Sequence, residues 1–283
     1  MPRQLLVSMA LSGAAWLGCT SSPAPSPHTA IPLVELWAND LPAFGIFVPS
    51  EQPRRDTDGG RLPPVYTREG AERLARNPLL DHLFLNLEGA YDAAAVDALV
   101  AGLATVSPTE RPALLVRIPP IEQDGEQAAR ERVRDALGRG ADGLVLPHIR
   151  DAEEARIAVR FFEEAGADVW SPANPDGRII AMLMIEDPDA LETAQAIADT
   201  PGYSVLSCGI GSLTAALGGD RDAGEAGGEV VRHYAARVGL PSMMTANPAN
   251  ILDRLNQGYR ALLLQMGDET LDAIRLGRGM AGR

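Results

Sequence analysis

Lysine is absent from this chain: all 25 basic residues are arginine. Chemistry that needs a side-chain amine is therefore excluded, including Schiff-base catalysis, pyridoxal-phosphate attachment and a P-loop lysine. Cysteine is scarce, with only Cys19 and Cys208, and no disulfide framework exists. Cys208 stands at a strand end with no histidine nearby in sequence. It reads as a buried structural thiol rather than a nucleophile. Positive charge is also short. The net charge of −13 comes with no basic stripe, which argues against a nucleic-acid partner.

The one pronounced apolar run is N-terminal. Arg3 precedes Leu5 to Leu17, a stretch too short to span a bilayer and of the length of a signal-peptide core. Leu17-Gly18-Cys19 is similar to a bacterial lipobox, so residues 1–18 are expected to be a leader and Cys19 a site of lipid attachment. Thr20 to Pro27 reads as a disordered tether, placing residues 19–30 between membrane and domain. The expected location is periplasmic or membrane-anchored, outside the cytoplasm.

From residue 31 to residue 283 strand-like and helix-like segments alternate. Eight short apolar runs are candidate strands: Phe44–Val48, His82–Leu87, Ala113–Ile118, Gly143–Pro147, Ile179–Ile185, Tyr203–Cys208, Pro241–Thr245 and Tyr259–Leu264. Amphipathic patterns between them predict helices over Ala93–Leu103, Glu126–Leu137, Asp151–Glu164, Asp189–Ala198, Gly228–Val238, Asn250–Gln257 and Thr270–Met280. Eight such units match an α/β fold of the (β/α)8 TIM-barrel type. Gly140, Gly166, Gly202, Gly239 and Gly258 precede strands and fit helix C-caps. Ser50–Pro64 and the Gly-rich Gly218–Gly228 read as loops on the catalytic face, either mobile lids or solvated insertions.

In such a barrel ligands sit at the C-terminal ends of strands. The polar residues expected there are Glu88, Arg117, His148, Glu186, Asp187, Ser212 and Asn247. Arg117 lies within Leu114-Leu115-Val116-Arg117-Ile118. Its guanidinium needs a partner, either an internal salt bridge to Glu186 or Glu88, or a ligand carboxylate or enolate oxygen. Glu186 ends Met182-Leu183-Met184-Ile185 and is a candidate ligand for Mg²⁺ or Mn²⁺, or a base. Glu88 is a second candidate carboxylate, or a surface residue. His148 is either a structural histidine or a general acid/base. The Gly209-Ile210-Gly211-Ser212 turn could present backbone N–H groups to an anion.

These strand ends resemble the 4-hydroxy-2-oxoheptanedioate aldolase and citrate lyase β-subunit family, across roughly Ile31 to Gly282. LLVRIPP matches its substrate-binding arginine strand at Arg117, and MLMIEDPDAL its metal-ligand glutamate at Glu186. GADGLVLPHIRDAEEAR and GYRALLLQMGDETL resemble its fourth and last strands. The resemblance implies a TIM barrel, a divalent metal, a pyruvate-type enolate, 2-oxo acid and aldehyde substrates, and a homo-oligomer assembled through the last helix. Two positions depart from it. The family's Asp-Gly-Glu-His after strand two is Asn86-Leu87-Glu88-Gly89 here, which keeps the glutamate and loses the histidine base. Its Gly-Pro-x-Asp-Leu after strand six is Gly209-Ile210-Gly211-Ser212-Leu213, which loses a metal-ligand aspartate. The implied site is Arg117 and His148 for catalysis, Arg117, Gly211 and Ser212 for substrate, and Glu186 with Glu88 for metal. A non-catalytic barrel that binds a small carboxylate, and a metal-dependent hydrolase, are the rival expectations.

Overall fold

The computed structural model describes residues 32–53, 55–60 and 62–283. The expected leader, Cys19 and tether lie outside the described residues. Eight strands run β1 (Ala43–Phe47), β2 (His82–Asn86), β3 (Ala113–Arg117), β4 (Gly143–Leu146), β5 (Ile180–Ile185), β6 (Val205–Cys208), β7 (Ser242–Ala246) and β8 (Ala261–Leu264). All neighbours pair in parallel, and β8 closes on β1. The structure is therefore the (β/α)8 barrel that the eight apolar runs predict. The helices are α1 (Pro32–Ala38), α2 (Arg68–Ala75), α3 (Ala93–Leu103), α4 (Ile121–Arg139), α5 (Ala152–Glu164), α6 (Pro188–Glu192), α7 (Ala194–Ala198), α8 (Ile210–Ala216), α9 (Arg221–Arg237), α10 (Ile251–Gln257) and α11 (Thr270–Met280).

Both faces of each strand are covered, as parallel sheets require. One apolar cluster lies between strands and helices. A second fills the barrel, with Phe84, Leu115, Met182, Met243 and Leu263 among its members. Leu33, Val34 and Trp37 of α1 join this interior cluster beside the strand starts Ala43, Ala113 and Ala261. Trp37 donates its indole N–H to the Arg260 carbonyl at 2.9 Å, so α1 plugs the N-terminal mouth. Asp81, just before β2, ties the same end together. It accepts from Phe44 N at 2.8 Å, Arg278 at 2.9 Å and Arg283 at 2.8 Å, which pins α11 to the barrel.

Several expectations are corrected. Gly218–Gly228 is not a loop for most of its length, because α9 begins at Arg221, capped by the Asp220 side chain. Its glycines serve close packing: a Cβ on Gly227 would meet Leu213 at 2.6 Å, and one on Gly228 would meet Met244 at 2.6 Å. The expected helix over Asp189–Ala198 is divided at Thr193 into α6 and α7. The helix expected from Glu126 begins at Ile121, with a non-helical Gly125 inside it. Gly140 and Gly258 end α4 and α10 in the left-handed conformation, as their positions suggest.

His82 faces the barrel interior, fully buried, and neither ring nitrogen has a hydrogen-bond partner. Its ring fills the space that a Cβ on Gly45 would need, at 2.3 Å. Burial pushes its pKa down to about 4, against a small opposing pull from Asp81. The unfolded chain takes up this proton near pH 6.5, and the folded one only near 4. The neutral ring's contribution is thus complete above 6.5 and is lost as pH falls from 6.5 toward 4, by about 3 kcal/mol. Urea midpoints of wild type and His82→Phe should diverge across that window, wild type falling more steeply. Parallel slopes would contradict the assignment.

Candidate functional site

The C-terminal end of the barrel gathers Arg117, Glu88, His148 and Glu186 from the ends of four consecutive strands, β2 to β5, and the loops that follow them. Arg117 ends β3, and its Nη2 reaches the carboxylates of both Glu88 and Glu186, the latter at 2.6 Å. The internal salt bridge expected as one reading of Arg117 is therefore present, with both candidate partners at once. Glu186 follows β5 and is 1% exposed, so its carboxyl group depends on these contacts in place of water. Its Oε2 also accepts the His148 backbone N–H at 3.3 Å.

His148 follows β4 with a φ of 53°, in the left-handed region. A non-glycine residue held there stores strain, a pattern that concentrates at functional sites. Its Nδ1 lies 3.0 Å from Asp187 Oδ2, while Nε2 lies 3.4 Å from Glu88 Oε1 and 3.7 Å from Glu186 Oε2. Asp187 thus orients the ring and Nε2 faces the cluster, the arrangement that suits a proton carrier. The Glu88 carboxylate above all, then those of Asp187 and Glu186, pushes the imidazole pKa up to about 9 against partial burial. Burial raises the Glu88 carboxyl, but His148 and Arg117 together outweigh it and hold it below its usual value.

Glu88, His148 and Glu186 each offer a ligand atom, all within 4.8 Å of one another. Two carboxylates and an imidazole fit a divalent cation. The guanidinium nitrogen bridging both carboxylates marks where positive charge is favoured. Glu186 and Glu88 are the ligands the sequence reading named, and His148, with Nδ1 held by Asp187, turns Nε2 toward the same point.

A cavity of about 450 Å³ opens beside Arg117 and Glu186. Phe47, Phe84, Met184 and Leu263 make an apolar floor, while Thr245, Asn247, Asn250 and Gln265 give it polar groups. Gly211 and Ser212 line it from the first turn of α8, a short helix that the sequence reading took for a turn. Cys208 also lines the cavity, but its thiol is 3% exposed, and burial and then Glu186 push its pKa up to about 12. It is structural, as expected.

Gly209 has a role that no sequence signal revealed. A Cβ built on it would lie 2.0 Å from Glu186 Oε1 and 2.5 Å from its Cδ. Its backbone, at φ −78°, suits alanine, so only the clash distinguishes the two. Gly209→Ala should lower kcat/KM about 10²-fold by displacing the carboxylate, with a stability loss of only about 1–3 kcal/mol. Turnover beside a urea midpoint tests this. Unchanged turnover would mean that the carboxylate needs no such cradle.

Comparison with known proteins agrees with this geometry. Residues 74–259 match the HpcH/HpaI aldolase/citrate lyase family. A 4-hydroxy-4-methyl-2-oxoglutarate aldolase of Hapsidospora irregularis is 28% identical over 52% of this chain. A second, from Chaetomium globosum, is 30% identical over 52% of the chain. The matched segments span 58% and 61% of those relatives' lengths. An aldolase/citrate lyase family protein from Burkholderia cenocepacia shares the fold at TM-score 0.64 and 21% identity, over 89% of this chain and 97% of its own. The citrate lyase β-subunit of M. tuberculosis, solved with oxaloacetate and magnesium, aligns at TM-score 0.55 and 18% identity, over 86% of this chain and 97% of its own. With a closed barrel, charged groups converging at its C-terminal end, and the family match running from α2 to Tyr259, the chain belongs to the HpcH/HpaI aldolase/citrate lyase family.

Proposed function

We propose that the protein is a divalent-metal-dependent carbon–carbon lyase that cleaves or forms a bond next to a 2-oxo acid through a pyruvate-type enolate. The observation that carries this reading is the convergence of Glu88, His148 and Glu186 around one point, with Arg117 joining Glu88 to Glu186. The curated relatives are named as aldolases of a 2-oxo acid, and a fold neighbour was solved with oxaloacetate and magnesium. Glu186 and Glu88, with His148 beside them, would hold Mg²⁺ or Mn²⁺, which when bound supplies a Lewis acid for the enolate oxygen.

The chain's own groups supply the rest. Arg117 binds the 2-oxo acid carboxylate and adds positive charge where the enolate develops. Gly211 and Ser212 form the cavity wall that positions the acid. Phe47, Phe84 and Met184 exclude water beneath it. His148, held by Asp187, moves the proton at Nε2. Deuterium exchange at C3 of pyruvate in D₂O, followed by proton NMR with Mn²⁺ and after chelation, tests the reading. Metal-dependent exchange is expected, and a null result with Mn²⁺ would overturn it.

The non-catalytic binding reading draws on one observation: Gly89 and Ser212 stand where the resemblance implies a histidine and an aspartate. It expects oxalate binding without exchange. We further propose export with lipid attachment at Cys19, for which the mass of the mature protein is the check. We also propose a homo-oligomer that uses the exposed Leu276 and Met280 of α11, for which light scattering is the check.

A further inference from the structure

At the opposite, N-terminal end of the barrel lies a cavity of about 290 Å³ that the lyase chemistry does not use. It is set between the starts of β7 and β8, the later turns of α9 and the end of α10, with α1 beside it. Ser242, the first residue of β7, lines it. Ala246, the last residue of the same strand, lines the 2-oxo acid site proposed above. The two spaces are therefore a strand length apart, and a ligand in one does not compete for room in the other.

The Ser242 side chain points away from the barrel interior, since its neighbour Met243 packs inside. It is 3% exposed, yet its hydroxyl has no hydrogen-bond partner among the described residues. A buried hydroxyl left so is destabilising until a bound group completes it. Two guanidinium groups line the same space. Arg260 donates from Nε and Nη2 to Asp40, and Arg232 from Nε and Nη2 to Glu229. Both carboxylates are exposed, so these pairs add little stability. No described residue accepts from Nη1 of either arginine. Gly258 leaves room for one of them, because a Cβ there would lie 3.3 Å from Arg232 Nη1. Trp37, Leu240 and Pro241 make the rest of the wall apolar.

We propose that this cavity is a binding site, separate from the catalytic end, for a small phosphate monoester with an apolar body. Three donors on three residues, Arg232 Nη1, Arg260 Nη1 and Ser242 Oγ, match the three terminal oxygens of a phosphoryl group, whereas a carboxylate has only two oxygens. The ester oxygen directs the organic body toward Trp37 and Leu240, where its burial adds to affinity. The volume lies at the small end for ligand pockets, which restricts that body to a few carbons. Asp40 stays on the outer edge of Arg260, in water, and its charge is offset there by the guanidinium.

Butyl phosphate is the probe, with butanoate and inorganic phosphate beside it. Calorimetric titration of the full chain in EDTA keeps metal at the catalytic end out of the measurement. One equivalent of butyl phosphate should bind, about tenfold more tightly than butanoate, which offers one oxygen fewer. It should also bind more tightly than inorganic phosphate, which lacks the apolar body. Ser242→Ala and Arg260→Gln should each weaken binding about tenfold, the scale of one hydrogen bond to a charged group. Ala236→Phe, at an exposed position on the cavity wall, should block the probe while leaving all three donors in place. Urea midpoints confirm that each variant is folded. Absence of binding would overturn the site. So would binding that none of the three variants weakens, since the phosphoryl group would then lie elsewhere. Butanoate or inorganic phosphate binding as tightly as butyl phosphate would overturn the assignment to a phosphate monoester.

Discussion

Replacing His148 with asparagine should slow C3 deuterium exchange by about 10²–10⁴-fold, the range for loss of a positioned proton carrier. Asparagine suits this test because it tolerates the left-handed backbone that His148 adopts at φ 53°. The turn that lets the 148 backbone N–H donate to Glu186 is thereby kept. What disappears is the imidazole, with Nδ1 held by Asp187 and Nε2 facing Glu88 and Glu186. The resemblance implies a histidine after β2, where Gly89 stands, so no other histidine is available at this end of the described barrel. His82 is sealed inside the barrel without a polar partner. An exchange rate within a few-fold of wild type would remove His148 from the mechanism and return it to a structural role.

Glu186→Gln should lower exchange by about 10³-fold and abolish oxalate-enhanced Mn²⁺ binding. Glutamine keeps the shape of a side chain that is 1% exposed but removes its charge. Two consequences follow from the geometry. The cation position between Glu88 and Glu186 loses half its negative charge, and Arg117 loses one of its two carboxylate partners. Breaking a buried pair by removing one partner costs about 3–5 kcal/mol when the other charge is stranded. Here Glu88 still faces Arg117, so the urea midpoint should fall by less than that range implies. Mn²⁺ titration with and without oxalate separates the two effects. If the glutamine variant retains oxalate-enhanced binding, Glu186 is not a metal ligand and the convergence of the three groups is structural.

Much of this architecture was legible from local patterns. The eight apolar runs are the eight strands, with ends differing by one or two residues. Ala93–Leu103 and Thr270–Met280 coincide with α3 and α11. Where local reading failed, packing had overridden it. Gly218–Gly228 has the composition of a loop, yet most of it is helical because its glycines let α9 approach Leu213, Met244 and Thr214. None of α1, α2 and α8 was anticipated. All three are short, and α1 is held by what it covers, the apolar mouth of the barrel, rather than by a strong pattern of its own.

The sequence by itself determined the barrel, the absence of amine chemistry, the inertness of Cys208, and the charged residues that end β3 and follow β2, β4 and β5. Those conclusions depend on periodicity, composition and side-chain chemistry, which are local. Only the tertiary structure decided that Arg117 joins Glu88 to Glu186, that His148 enters the same cluster with Asp187 behind it, and that Gly209 makes room for the Glu186 carboxylate. It alone also set a second cavity beside Glu88 and His148. These groups are far apart along the chain, and their distances are fixed by barrel closure and by the direction in which each strand end points its side chain.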